Sequence, residues 1–402
     1  MNILFLTIAH ITNTNDRGIY TDLMRQFRDK GHKVTIVSSA ERRYGIPTGL
    51  STQNGIEILK VSTLNLQKTN VIEKGIGTLL LEYQFLSAIK KYLSNVKFDL
   101  VLYSTPPITL TKVVKFVKKR DAAKTYLLLK DIFPQNAVDL NMISQGGLLH
   151  RYFRKKEKAL YAVSDNIGCM SPANAAYVCA NNPEIDPTKV EVCPNSIALT
   201  HEPALTATEK STIREKYKLP SAATLFIYGG NLGKPQGIGF LLQVLRTNEN
   251  LKNAFFVIVG SGTEFPLIQK WFDSNKPKNA LLLKGLPKEE YDKLVKACDV
   301  GLIFLERKFT IPNYPSRLLS YLENRMPIIT ATDRSTDIGS IAEANGYGLS
   351  AISGDLEAIN KHIHHLCENP DVIKAMGEKG YDYLKNNYTV ERCYEIIMKE
   401  PR

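Results

Sequence analysis

Residues 230–237 read GNLGKPQG, a lysine set among glycines directly behind the apolar run TLFIYG. Glycine lets a backbone come close to an anion, and Lys234 adds a point charge suited to phosphate. The spacing is neither the G-x-G-x-x-G of dinucleotide folds nor a Walker loop. A plain strand-to-helix turn would account for one or two glycines; four, at 229, 230, 233 and 237, together with a lysine favour phosphate. A second anion element lies in IPNYPSRLLSYLENRMPII at 311–329, which reads as a loop, a helix opened by Pro315 and closed before Pro327, and the start of a buried strand. Helix N-termini carry free N–H groups and partial positive charge, so Ser316 and Arg317 would form a ready phosphate site. The alternative is a capped core helix with a surface arginine. GSG at 260–262, behind FFVIVG, marks another close backbone approach at Gly260.

The first half offers a proton acceptor. LLLKDIFPQNAV places Lys130 and Asp131 right after an apolar run, where a carboxylate can take the proton of a hydroxyl. A turn or helix-capping role is the alternative for Asp131. Arg17 and Gly18 follow the first apolar run and precede a helix starting near Tyr20, a permissive turn that would border a ligand cleft. His10 stands alone past the same run and reads as structural. The six cysteines form no C-x-x-C pair and no histidine cluster joins them, so neither a metal nor a disulfide framework is expected. A reducing cytoplasm fits that usage.

These residues need elements to hold them. NILFLT, KVTIVS, EILKV, DLVLY, TYLLL and NIGCM in the first half read as strands, as do TLFIYG, FFVIVG, ALLLK, VGLIF and PIITA in the second. The runs are continuously apolar rather than alternating, as parallel strands buried on both faces are. Helical patterns separate them, which predicts two doubly wound, Rossmann-like α/β domains facing each other across a cleft. The expected division is an N-terminal domain over 1–200, to which a C-terminal helix at about 385–402 returns, and a second domain over 201–384. PNSIALTHEPALTATEK at 194–210 loses periodicity and reads as the linker.

Composition bounds the rest. The chain has 402 residues, 44% hydrophobic and 23% charged, enough for two cores. MNILFLTIAH lacks a basic leader and reads as a first strand, and no run is long and apolar enough for a membrane helix. A cytoplasmic protein, or one peripheral to the inner membrane face, is expected. The formal net charge of +12 is uneven, with +10 carried by residues 1–200. It gathers in TKVVKFVKKR at 111–120 and HRYFRKKEKALYAV at 150–163, at near-helical spacing beside apolar residues. Such faces suit anionic lipid headgroups, or are merely solvated. No nucleic-acid module and no aromatic ladder accompany them.

FIYGGNLGKPQGIGFLLQVL, FFVIVGSGTEFPLI, LLLKGLPKEEYDKLVKACDVGLIFL, NYPSRLLSYLENRMPIIT and NGYGL resemble, in order and spacing, the donor domain of family-four GT-B glycosyltransferases, in the branch that builds bacterial capsule, O-antigen and exopolysaccharide. KDIFPQNAVDL, EKALYAVSDNIGCMS and VCPNSI are similar to that branch's acceptor domain. The resemblance implies retaining, metal-independent transfer from a nucleotide diphosphate-sugar, with UDP as the nucleotide, to a lipid-linked glycan. No cofactor beyond the donor is implied. Gly18, Gly230, Asn231, Lys234, Gly260, Ser316, Arg317 and Ser320 would hold the donor, with Lys234 also stabilising the departing diphosphate and Asp131 serving the acceptor. One departure stands out: the family's two glutamates, with seven residues between them, match Pro312 and Ser320 here, so the usual ribose and sugar contacts do not carry over directly. Glu323 is a possible substitute, or an exposed helix-face residue. A nucleotide-sugar epimerase and a non-catalytic donor-binding subunit are the rival readings.

Overall fold

Strands that are apolar on both faces need cover on both, and flanking helices supply it. The computed structural model describes residues 1–66, 69–200 and 205–399. It divides into two units, Met1–Ala198 with Thr389–Arg402, and Leu199–Tyr388. The first unit contains β1 (Asn2–Thr7), β2 (Lys33–Glu41), β3 (Gly49–Gln53), β4 (Ile56–Thr63), β5 (Leu100–Ser104), β6 (Lys124–Leu129), β7 (Asn166–Cys169) and β8 (Val190–Val192). They form one sheet in the order β3-β4-β2-β1-β5-β6-β7-β8. Every pairing is parallel except that of β3 with β4.

The second unit holds β9 (Thr224–Asn231), β10 (Ala254–Ser261), β11 (Ala280–Lys284), β12 (Val300–Phe304), β13 (Ile328–Thr332) and β14 (Gly348–Ile352). Its sheet is wholly parallel, in the order β11-β10-β9-β12-β13-β14. Both sheets are therefore doubly wound. All eleven runs read as strands are strands. β3, β8 and β14 are additions that the sequence hid: GLSTQ lies on a solvated edge, while VEV and GLSAI are short and only half-buried.

In such sheets ligands bind beyond the carboxyl ends of strands, where the winding reverses. In the first unit that point lies between β1 and β5, and in the second between β9 and β12. Phe5, Ile36, Leu102 and Leu128 pack the first core, and Phe226, Phe256, Leu241 and Phe304 the second. Two helices, not one, cover the C-terminal stretch. Pro370–Asn387 stays with the second unit, and Val390–Met398 packs Val390, Cys393 and Ile397 against Leu23 and Phe27 of the first. The break is set by Thr389, whose side chain accepts from Arg392 N and starts the new helix.

The expected linker is only partly irregular. Residues 201–204 lie outside the described residues. Beyond them Thr206 and Glu209 close a capping box that opens the helix Ala207–Lys216. The T-x-x-E spacing was the legible signal. Among the described residues no helix is long and apolar enough to cross a membrane.

Candidate active site

The end of β9 is shaped by its neighbours. Gly260 pairs with Gly230 across β9 and β10, and a Cβ on it would lie 1.9 Å from the Gly230 carbonyl oxygen, so only glycine fits. Gly237 has φ +58°, and its Cβ would fall 2.7 Å from the Leu305 carbonyl. Two of the four loop glycines thus serve packing rather than ligand approach: Gly237, and Gly229, which lies against the Tyr291 ring. Gly230, with open space where its side chain would be, Asn231 and Lys234 remain exposed at the mouth of the β9–β12 reversal. The loop is pinned there, with Glu306 N donating to the Pro235 carbonyl at 2.9 Å and Tyr228 Oη to the Gln236 carbonyl at 2.8 Å.

Beneath the loop lies Arg317. The helix that carries it runs only Arg317–Glu323, with Ser316 exposed at its start. Instead of a surface arginine, the structure shows a guanidinium stacked 4.6 Å over the Tyr228 ring, donating from Nη2 to Gln236 Oε1 and, at 3.4 Å, to the Asn231 carbonyl. Tyr291 and Tyr321 lie within electrostatic reach. Tyr321 Oη donates to the Ile227 carbonyl and accepts from Gly229 N, both at 3.2 Å. Burial pushes the Tyr291 phenol up to about 12, and the Tyr228 and Tyr321 phenols up as well, so the ring around the guanidinium is neutral. Arg317 makes no ion pair among the described residues, and its buried Nη1 has no hydrogen-bond partner there. A half-buried cation with no counterion and a buried, unpartnered Nη1 is unfavourable unless an anion completes it. Sequence reading missed this cage, although Tyr321, one helical turn after Arg317, was the available signal.

Ser320 sits mid-helix and half-buried. Glu323 is not an exposed helix-face residue: its Oε1 accepts from Thr200 N at 3.3 Å and Thr200 Oγ1 at 3.1 Å. Pro312 is buried.

In the first unit Asp131 follows β6 at the carboxyl edge of the sheet. Thr105, at the end of β5, holds the turn: its Oγ1 accepts from Lys130 N and Asp131 N at 3.0 and 3.2 Å. Asn136 Nδ2 donates to both Asp131 carboxylate oxygens, at 2.8 and 2.9 Å. Burial pushes the Asp131 carboxyl up to about 6, against the pull of Asn136 and the Ile132 amide. That is the range of a working general base. Lys130 turns away to donate to the Cys193 carbonyl at 3.2 Å. Along the chain from Asp131, a polar pocket of ≈ 150 Å³ is lined by Pro134, Gln135, His150, Arg154, Glu157 and Tyr177 among others.

Gly18 does not need glycine's freedom. Its φ of 174° is extended, and its N–H donates to buried Asp22 Oδ1 at 2.9 Å to start the helix Ile19–Asp29. His10 stacks on Tyr44 with centroids 4.0 Å apart, a structural contact.

Residues 209–383 match the family model described as Glycosyl transferases group 1. The chain is 22% identical over 324 residues to the probable glycosyltransferase WbjE of Pseudomonas aeruginosa, covering 80% of this chain and 78% of that one. Sucrose-phosphate synthase of Thermosynechococcus elongatus superposes with TM-score 0.75 at 14% identity, covering 98% of this chain and 97% of that one. HepE of Anabaena, solved with UDP and glucose, gives TM-score 0.69 at 13% identity, covering 99% and 98%. The fold is GT-B, and the match to glycosyl transferases group 1 falls within the second unit.

Proposed function

We propose, from a glycosyl transferases group 1 domain on this fold, that the protein moves a sugar from a UDP-sugar to a lipid-linked glycan acceptor in surface polysaccharide synthesis, with retention of configuration. The observation that carries the donor half is the uncompensated Arg317 guanidinium under the exposed Gly230–Lys234 loop at the β9–β12 reversal. A diphosphate supplies the missing negative charge, with Lys234 on its solvent side and Ser316 beside it. HepE, solved with UDP and glucose, supports UDP as the nucleotide. Gly260 and Gly230 keep the strand ends low enough for the donor to seat.

In the reaction the bond between the sugar's anomeric carbon and the β-phosphate oxygen breaks, and a bond to the acceptor oxygen forms. The acceptor's proton passes to Asp131 or to the departing phosphate oxygen, and charge that develops on the diphosphate is met by Lys234 and Arg317. Ser320 stands where the family has a carboxylate and offers a hydroxyl to the donor instead. Glu323 Oε1 is instead engaged with Thr200. Of the basic residues expected to meet a membrane, Lys118 is tied to Asp165 at 2.5 Å and Arg154 to Glu157 at 2.6 Å, so these two hold the fold; Lys115, Lys119 and Lys155 stay exposed.

A donor screen reading nucleotide diphosphate release, with and without membrane extract as acceptor, tests the reading. Release that depends on extract supports it. Conversion of a nucleotide-sugar without any acceptor would instead assign an epimerase.

A further inference from the structure

Large apolar side chains exposed singly are ordinary, but a contiguous patch marks an interaction surface. The helix Val71–Tyr92 exposes Ile76, Leu79, Leu80 and Tyr83, at the i, i+3, i+4, i+7 spacing of one helical face. Leu79 is 57% and Tyr83 72% exposed. Its other face is already used: Leu81, Phe85 and Ile89 are buried in the first unit. A helix packed on one side should be polar on the other, and this one is apolar on both.

A second exposed apolar stretch lies on another helix of the same unit. Leu148, Leu149 and Tyr152, the first of them 86% exposed, lie at the start of Leu148–Val163. The two helices are joined by Lys156, whose Nζ lies 3.3 Å from Glu82 Oε2 and 5.9 Å from the Tyr152 ring centroid. Glu82 adjoins Tyr83 in the chain, so the bridge ties the two helices together close to Tyr83 and Tyr152.

The charges around them have one sign. Glu82 is buried and also accepts from Lys112 N at 2.5 Å, while Glu157 is buried against Arg154. Glu73 pairs with Arg42, and Asp121 with Arg120. Every acid on these two helices and on Thr111–Asp121 is thus engaged. Lys74, Lys90 and Lys91 on the first helix, Lys115 and Lys119 on Thr111–Asp121, and Lys155 on the third are exposed and make no ion pair among the described residues.

We infer that this face docks on an anionic lipid bilayer, with Ile76, Leu79, Leu80, Tyr83 and the Leu148–Leu149 pair entering the headgroup boundary and the lysines lying over lipid phosphates. A second copy of the chain fits poorly, because a self-complementary contact would set lysine against lysine. The inference deepens the lipid-linked acceptor reading and rests on it for its biological sense. Sequence reading placed the contact on the 111–120 and 150–163 segments; the structure adds Val71–Tyr92 as the inserting element.

The test is co-sedimentation of the full chain with vesicles of phosphatidylcholine alone or with added phosphatidylglycerol, beside calorimetry with UDP on the same preparations. The wild-type chain is expected to sediment with the anionic vesicles, less so as salt is raised. Leu79→Ser with Tyr83→Ser should weaken that by roughly 100-fold, for two inserted side chains. Lys74→Ser with Lys91→Ser should weaken it by roughly 30-fold and blunt the salt dependence. Both variants should bind UDP as the wild type does. A Tyr83→Trp chain should show emission shifted to shorter wavelength on vesicle addition, against a wild-type background from its single Trp271. A wild type that binds UDP but ignores both vesicle types overturns the docking surface and leaves the transferase reading standing. Vesicle binding without UDP binding overturns the transferase reading and leaves the surface standing. Concentration-dependent dimers that the Leu79→Ser, Tyr83→Ser chain cannot form would reassign the face to contact between copies.

Discussion

Asp131→Asn removes a carboxylate that burial disfavours, and the structure sets two opposing effects on stability. Burial lifts the carboxyl from 3.8 to about 6. Because the folded-state value lies above the unfolded one, the protonated acid stabilises the fold below about pH 4, and that stabilisation is lost as pH rises through about 6. At pH 7 the ionised group therefore costs stability, by roughly 3 kcal/mol at face value and roughly 2 kcal/mol after allowance for its partial exposure. An amide avoids that cost. It also gives up one of the two contacts from Asn136, now donor facing donor, at about 1.5–3 kcal/mol for a bond to a charged group. The two nearly cancel, so the melting temperature at pH 7 should move little. Activity should not be spared: loss of the proton acceptor lowers turnover by roughly 10²- to 10⁴-fold. Wild-type kcat/KM should rise with pH through about 6, and the residual activity of the variant should lack that limb. Initial rates from pH 5 to pH 8, beside thermal melts, read both. Turnover within a few-fold of wild type, or a pH limb that persists in the variant, would refute the assignment of Asp131 as base.

Other variants follow from the second unit. Lys234→Ala should weaken UDP binding by roughly 10- to 100-fold in calorimetry, the loss of one charge-assisted phosphate contact, with the melt unchanged because the side chain is exposed. Arg317→Lys keeps the charge but loses the stacking on Tyr228 and the fork to Gln236 and Asn231, so UDP affinity should fall at least tenfold; unaltered affinity would show that the cage serves packing alone. Ser320→Glu should fold and keep or tighten UDP binding, and a folded chain that binds no UDP would mean the pocket is shaped differently from the family's. Glu323→Ala should lower stability by roughly 1 kcal/mol, through the two lost Thr200 contacts, with UDP affinity intact.

Much of the fold was legible because both sheets are built from runs such as NILFLT and FFVIVG, whose unbroken apolar character leaves few alternatives to a doubly buried parallel strand. β3 was hidden because its cover is solvent on nearly every residue, so it carries no hydrophobic signature. Within the site, exposed features were readable and buried relations were not. Lys234 and Gly230 stand in solvent as the loop sequence suggests, but that Gly237 exists for the Leu305 backbone and Gly229 for Tyr291 depends on contacts across the sheet. Arg317 reads from the sequence as a phosphate residue at a helix start or as a surface arginine, but the cage around it is not legible, because Tyr228 and Tyr291 are distant in sequence and only Tyr321 is near. Charge counts misled in the same way. Lys118 and Arg154 belong to basic segments in the sequence, yet each has its acid supplied by the fold.

Transfer from a nucleotide-sugar to a lipid-linked acceptor is tested most directly by following label from a panel of UDP-sugars into the organic-solvent-extractable fraction of a membrane preparation. One UDP-sugar should label that fraction in step with UDP release, and Lys234→Ala and Asp131→Asn should each sharply lower both. UDP binding without label transfer for any donor, or consumption of the UDP-sugar at the same rate with the lipid fraction left out, would contradict it.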